Sequence, residues 1–238
     1  MKPYPERLVI EPADLLAASA GEWILRGLAN AMRERVRASL GLSGGHTPRA
    51  TYEWLAEHGG RVPWDRVEVF FADERCVPPD DPESNYRLVR ETLLDRASIP
   101  PENVHRMACE EGDRDAAARR YAALVPEHFD VLLLGMGADG HTASLFPGAR
   151  ELDEQTKDVL PSTSPEAPHE RLTITPRVIA AARDVAVLVT GEAKAEMVRR
   201  ALEGDYRPRE LPIQLALAAT WFLDREAASM LSSRADAP

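Results

Sequence analysis

The sequence predicts an α/β protein, with a Rossmann-like, doubly wound and mainly parallel sheet flanked by helices. Three observations carry this. Short continuous apolar runs recur along the chain, as strands buried on both faces require. Segments with helical apolar spacing alternate with them. Glycine-rich or charged clusters follow several of the runs, at the strand ends where open parallel sheets bind ligands.

Taken in order, Leu15 to Val36 has a helical rhythm, with Leu16, Ala20, Ile24, Leu28, Met32 and Val36 four residues apart. Ala38 to Leu42 reads as a buried strand running into Ser43-Gly44-Gly45-His46-Thr47-Pro48. Pro48 suits the first turn of a helix over Arg49 to Glu57, where no N–H donor is needed. Val67 to Ala72 is a strand ending at Asp73-Glu74-Arg75, followed by a proline-rich loop. Ser84 caps a helix from Asn85 to Arg96, with Tyr86, Val89 and Leu93 facing inward. Asp115 to Leu124 reads as helix and Val131 to Leu134 as strand. Leu160 to Pro168 holds three prolines and reads as an exposed loop. Val185 to Val189 is a strand, Gly191 to Lys194 opens a helix that Gly204 ends, Pro212 begins a short helix, and Trp221 to Leu223 closes the sheet.

The length of 238 residues fits a single domain over 1–238. Hydrophobic residues make up 44% and charged residues 29% of the chain, ordinary values for a globular protein. A formal net charge of −10 argues against a nucleic-acid binder. No apolar run approaches the roughly 18 residues that span a bilayer. The N-terminal MKPYPERLVI lacks a secretory h-region. Two cysteines, Cys76 and Cys109, are too few for a disulfide framework and fit a reducing cytoplasm. The histidines show no i,i+3 or i,i+4 pair, so no metal site is expected. Trp23, Trp54, Trp64 and Trp221 read as packing residues.

Gly135, Gly137 and Gly140 spell G-x-G-x-x-G, a dinucleotide fingerprint. That motif needs a long helix, a second strand and an acid about 20 residues on. Here Pro147 cuts any helix short, and Glu151, Asp153 and Glu154 have no strand ahead of them. The glycines instead let the backbone turn sharply toward His141, and imidazole is the side chain suited to proton transfer near neutral pH. Ser43 to Pro48, between a strand and a helix, offers successive N–H groups to an anion. Asp73, Glu74 and Arg75 sit at the end of a buried strand, a position better suited to chemistry than to solubility. Arg171 and Lys194 supply cations for a phosphate. A solvated-surface reading competes for both, and a tight turn competes for the Gly-Gly loop.

Together these motifs resemble the glucosamine-6-phosphate isomerase/6-phosphogluconolactonase superfamily, and within it the 6-phosphogluconolactonases. The resemblance rests on Ser43–Pro48, Phe71–Pro78, Glu83–Tyr86, Leu134–Pro147, Arg171–Thr173, Gly191–Lys194 and Trp221–Asp224, in the expected order over nearly the whole chain. It implies a fold like that of glucosamine-6-phosphate deaminase and ribose-5-phosphate isomerase. In the deaminases Ile-Ala-Phe-Asn-Glu-Pro typically follows the histidine. Here Thr142-Ala143-Ser144-Leu145-Phe146-Pro147 follows, which leaves out the deaminase's acid. Arg75 also stands where the deaminases tend to have tyrosine. His46 departs from the small or basic residue more usual in lactonases.

The resemblance implies hydrolysis of 6-phospho-D-glucono-1,5-lactone without metal or organic cofactor, by a monomer or weak dimer. His141 is the implied general base, Asp73 orients water or substrate hydroxyls, and Arg75 stabilises the oxyanion. Ser43, Gly44, Gly45, Thr47, Gly137, Asp139, Arg171 and Lys194 are the implied substrate contacts. The alternatives are a deaminase or isomerase on the same fold, and a non-catalytic sugar-phosphate sensor of the kind that usually carries a DNA-binding segment.

Overall fold

A computed structural model of the protein describes residues 3–110 and 112–232. Its main sheet has six strands: β1 (Arg7–Glu11), β2 (Ala38–Leu42), β3 (Val67–Phe71), and, further along the chain, β5 (Val131–Gly135), β8 (Asp184–Val189) and β9 (Thr220–Asp224). They lie in the order β1-β9-β8-β5-β2-β3, and every pairing is parallel. The chain leaves β2 for β3 on one side, then returns to place β5 on the other side and continues outward to β8 and β9. The crevice between β2 and β5 is thus a topological switch point, where doubly wound sheets bind ligands. The continuous burial of β2, β9 and most of β5 explains their unbroken apolar runs.

Helix α1 (Ala13–Glu34) buries Leu16, Ala20, Ile24, Leu28 and Ala31 against the sheet. It ends before Val36, which is exposed rather than the last member of the stripe. Helix α2 (Arg49–His58) packs beside it, and Trp54 lies over Gly21 of α1. Helix α3 (Asn85–Val89) starts at Ser84, whose hydroxyl accepts from the Arg87 amide, and continues as a π-turn over Arg90–Leu94. Helix α4 (Arg114–Ala122) is capped by Asp113, and α6 (Ala195–Glu203) stops at Gly204.

A second sheet of three antiparallel strands was not anticipated. It consists of β4 (Asp73–Arg75), β6 (Val159–Thr163) and β7 (Glu170–Ile174), in the order β4-β7-β6. Two expectations change with it. Asp73–Arg75 is a strand of its own, not the frayed end of β3. The Leu160–Pro168 segment is not wholly an exposed loop, because residues through Thr163 pair with β7 and Ser162 is buried. Pro161 is tolerated there because β6 is an edge strand, where a missing N–H costs no interior ladder bond. Ala72 joins the two sheets: its N–H donates to the Leu42 carbonyl, and its own carbonyl accepts from the Ile174 amide. The N-terminal strand β1 and the short helix α5 (Pro176–Ala181) were also unforeseen.

The cysteines require a further correction: Cys76 and Cys109 form a disulfide. Residues 104 and 105 return alongside β3, through a bridge at Val69 and a bond from the His105 amide to the Val69 carbonyl. This brings Cys109 back toward the end of β4. The compositional case for a reducing compartment therefore does not hold. No helix is long and apolar enough to cross a membrane among the described residues.

Candidate active site

The carboxyl ends of β2, β3, β5 and β8 lie along one edge of the sheet, and the loops leaving them surround a cavity of about 650 Å³. All three residues expected to do chemistry (His141, Asp73, Arg75) line it. So do all eight expected substrate contacts: Ser43, Gly44, Gly45, Thr47, Gly137, Asp139, Arg171 and Lys194.

The loop after β5 is folded around His141. The Gly137 amide donates to the His141 carbonyl at 2.9 Å and the Gly140 amide to the Gly137 carbonyl at 3.1 Å, closing a tight turn. A Cβ on Gly137 would lie 2.1 Å from His141 Nδ1, so only glycine lets the ring sit there. Asp139 Oδ1 accepts from the His141 amide at 3.1 Å and from His141 Nδ1 at 2.6 Å. An ionised carboxylate can only accept, so the proton of a neutral ring is on Nδ1 and the lone pair is on Nε2. Partial burial works against ionisation of Asp139, but the hydrogen bonds and charge of His141 win and hold its carboxyl below the usual value. Asp139 thus orients the histidine, a role the sequence reading does not give it.

Asp73 is buried and both its oxygens are held. Ser144 Oγ donates to Oδ2 at 2.6 Å, and Asn85 Nδ2 donates to Oδ1 at 3.1 Å. The neighbouring Glu74 turns away from the cavity. Its carboxylate accepts from the amides of Arg75, Asn85 and Tyr86 and from Ser84 Oγ, fixing the entry to α3.

Arg75 and Arg171 face each other across the β4–β7 pair. Like charges directly opposite one another are unfavourable in a sheet. Arg75 is held by the Glu83 carbonyl, and Arg171 Nε donates to the Pro168 carbonyl at 2.7 Å. Burial, then the charge of Arg75, pulls the Arg171 pKa down. Lys194 is also lowered by burial, with Asp139 opposing the shift. Such desolvated cations are poised for an anion.

Ser43 lines the cavity, but its polar groups serve the frame. Its hydroxyl donates to the Leu133 carbonyl at 2.9 Å, and its amide donates to the buried Tyr52 hydroxyl at 3.2 Å. The amides of Gly44, Gly45 and Thr47 have no protein partner among the described residues. Thr47 Oγ1 lies 3.0 Å from Thr190 Oγ1, tying the loop to the end of β8. Asp224 of β9 accepts from the Gly191 amide and so fixes the turn that presents Lys194. No group of three or more potential metal ligands occurs among the described residues.

The parallel sheet, its switch-point cleft and the histidine-bearing loop define the candidate site of an α/β protein with its ligand cleft at the sheet's carboxyl edge. The chain belongs to the family described as glucosamine-6-phosphate isomerases/6-phosphogluconolactonase, whose pattern matches residues 11–222. The 6-phosphogluconolactonase of Mycobacterium tuberculosis is 36% identical over 242 residues, covering 94% of this chain and 98% of that protein. The crystal structure of a 6-phosphogluconolactonase from Shewanella baltica superposes with a TM-score of 0.81 at 32% identity, covering 92% of this chain and 96% of that one. A monomeric glucosamine-6-phosphate deaminase shares the fold, with a TM-score of 0.83 at 24% identity over 94% of this chain and 99% of its own.

Proposed function

We propose that this protein hydrolyses 6-phospho-D-glucono-1,5-lactone to 6-phosphogluconate, in the oxidative pentose phosphate pathway. The observation that carries this reading is the Asp139–His141 pair at 2.6 Å, on a cavity that also holds Arg75, Arg171 and Lys194. The names of the relatives support the choice of substrate.

His141 Nε2 takes a proton from a water whose oxygen attacks the lactone carbonyl carbon. The negative charge that develops on the carbonyl oxygen is stabilised by Arg75. When the bond between the carbonyl carbon and the ring oxygen breaks, the imidazolium returns the proton to that oxygen. Asp139 keeps the ring oriented and offsets its transient positive charge. Asp73, locked by Ser144 and Asn85, presents its remaining lone pairs to substrate hydroxyls or the attacking water. Arg171, Lys194 and the free amides of Gly44, Gly45 and Thr47 hold the 6-phosphate, converting its binding energy into placement of the carbonyl.

A coupled assay tests this directly. Freshly generated 6-phosphogluconolactone should disappear faster with the protein than by spontaneous hydrolysis. No acceleration, together with release of ammonia from glucosamine 6-phosphate, would establish the deaminase alternative instead.

A further inference from the structure

Asn85 carries a buried polar atom in the cleft that no protein group satisfies. It is 2% exposed and lines the cavity. Its backbone amide donates to Glu74 Oε1 at 2.7 Å, anchoring it at the first position of α3. Its Nδ2 donates to both the Asp73 carbonyl, at 2.9 Å, and Asp73 Oδ1, at 3.1 Å. These two acceptors fix the amide's orientation, because the reversed amide would set oxygen against oxygen. The other end, Oδ1, is buried and has no hydrogen-bond partner. It lies over Gly44, where a Cβ would come within 1.8 Å of it. Glycine at that position therefore makes room for the Asn85 amide, which packs directly against the Gly44 backbone.

A buried acceptor without a donor is costly, and native proteins rarely leave one unless a ligand or water completes it. Here the protein holds an amide rigid on one side and leaves a carbonyl on the other, beside the Asp73 carboxylate. Two adjacent acceptors match hydroxyl donors and repel phosphate oxygens. A carboxylate at position 85 would face Asp73 with like charge, and an aliphatic residue would accept nothing. We propose that Asn85 Oδ1 accepts a hydrogen bond from a ring hydroxyl of the substrate, making Asn85 a specificity-determining residue for the polyol part of the molecule. This rests on the lactonase reading.

The test is a cycle between residue and hydroxyl. The 2-, 3- and 4-deoxy analogues of 6-phosphogluconolactone are compared with the parent lactone in the wild type, Asn85→Ala and Asn85→Ser. For one hydroxyl, deletion should cost the wild type about 10–100-fold in kcat/KM but cost the variants less than about 3-fold. Ser144→Ala, which removes a different partner of Asp73, should keep the full hydroxyl penalty, separating a direct contact from mere loosening of Asp73. Equal penalties in wild type and Asn85 variants, or no penalty above about 3-fold for any analogue in the wild type, overturns the assignment. Should the variants fail to fold, the wild-type analogue series still decides by that second criterion. A wild type inactive on the parent lactone overturns the function reading itself, a distinguishable outcome.

Discussion

Glu74 and His141 show how burial and partners set the work of single residues. Glu74 sits among four donors, yet burial outweighs them and pushes its carboxyl up to about 7 from an ordinary 4.5. The folded state therefore binds this proton more tightly than the unfolded chain does. Its stabilising contribution is full below the unfolded value and is lost as pH rises from 4.5 to about 7. The shift corresponds to about 3 kcal/mol. In urea unfolding, the wild type should lose stability between these pH values relative to Glu74→Gln; parallel pH curves for the two proteins would contradict this. That His141, Asp73 and Arg75 share one cavity was legible in the sequence, because they stand at or shortly after the ends of buried strands. The partners of Asp73 were not, since Asn85 and Ser144 lie 12 and 71 residues away along the chain. Asp139 was visible as a site residue, but its bond to His141 depends on a turn that only Gly137 allows.

At the scale of elements, the parallel strands and most helices were readable from apolar runs and caps, and the small antiparallel sheet was not. Its strand β4 has three residues, all charged, and β6 carries a proline, so neither offers an apolar period to detect. That sheet nonetheless decides the site's electrostatics, because its register sets Arg75 against Arg171. On the proposed placement of the phosphate between these cations, Arg171→Ala should raise KM for the phosphorylated lactone by about 10–100-fold, with a smaller effect on kcat, and should erode the preference over unphosphorylated gluconolactone. Steady-state kinetics on both lactones measures this; an unchanged preference would place the phosphate elsewhere.

At the scale of the molecule, one continuous apolar core underlies both sheets, and the chain's long returns close at the Cys76–Cys109 bond. Sequence separation alone could not reveal that bond, since it depends on the path of residues 104–109 beside β3. It closes a loop across a sequence separation of 33, which by chain entropy stabilises the fold by about 3–4 kcal/mol. The denatured, unreduced protein should show no free thiol, and reduction should lower the urea midpoint; two titratable thiols would contradict the pairing. Both sheets serve to bring loops from distant parts of the chain to one cleft around His141. The kcat of folded His141→Ala on 6-phosphogluconolactone tests this most directly. Turnover should fall by about 10²–10⁴-fold with the thermal midpoint unchanged. Near-normal turnover in a folded variant would contradict His141 as the base.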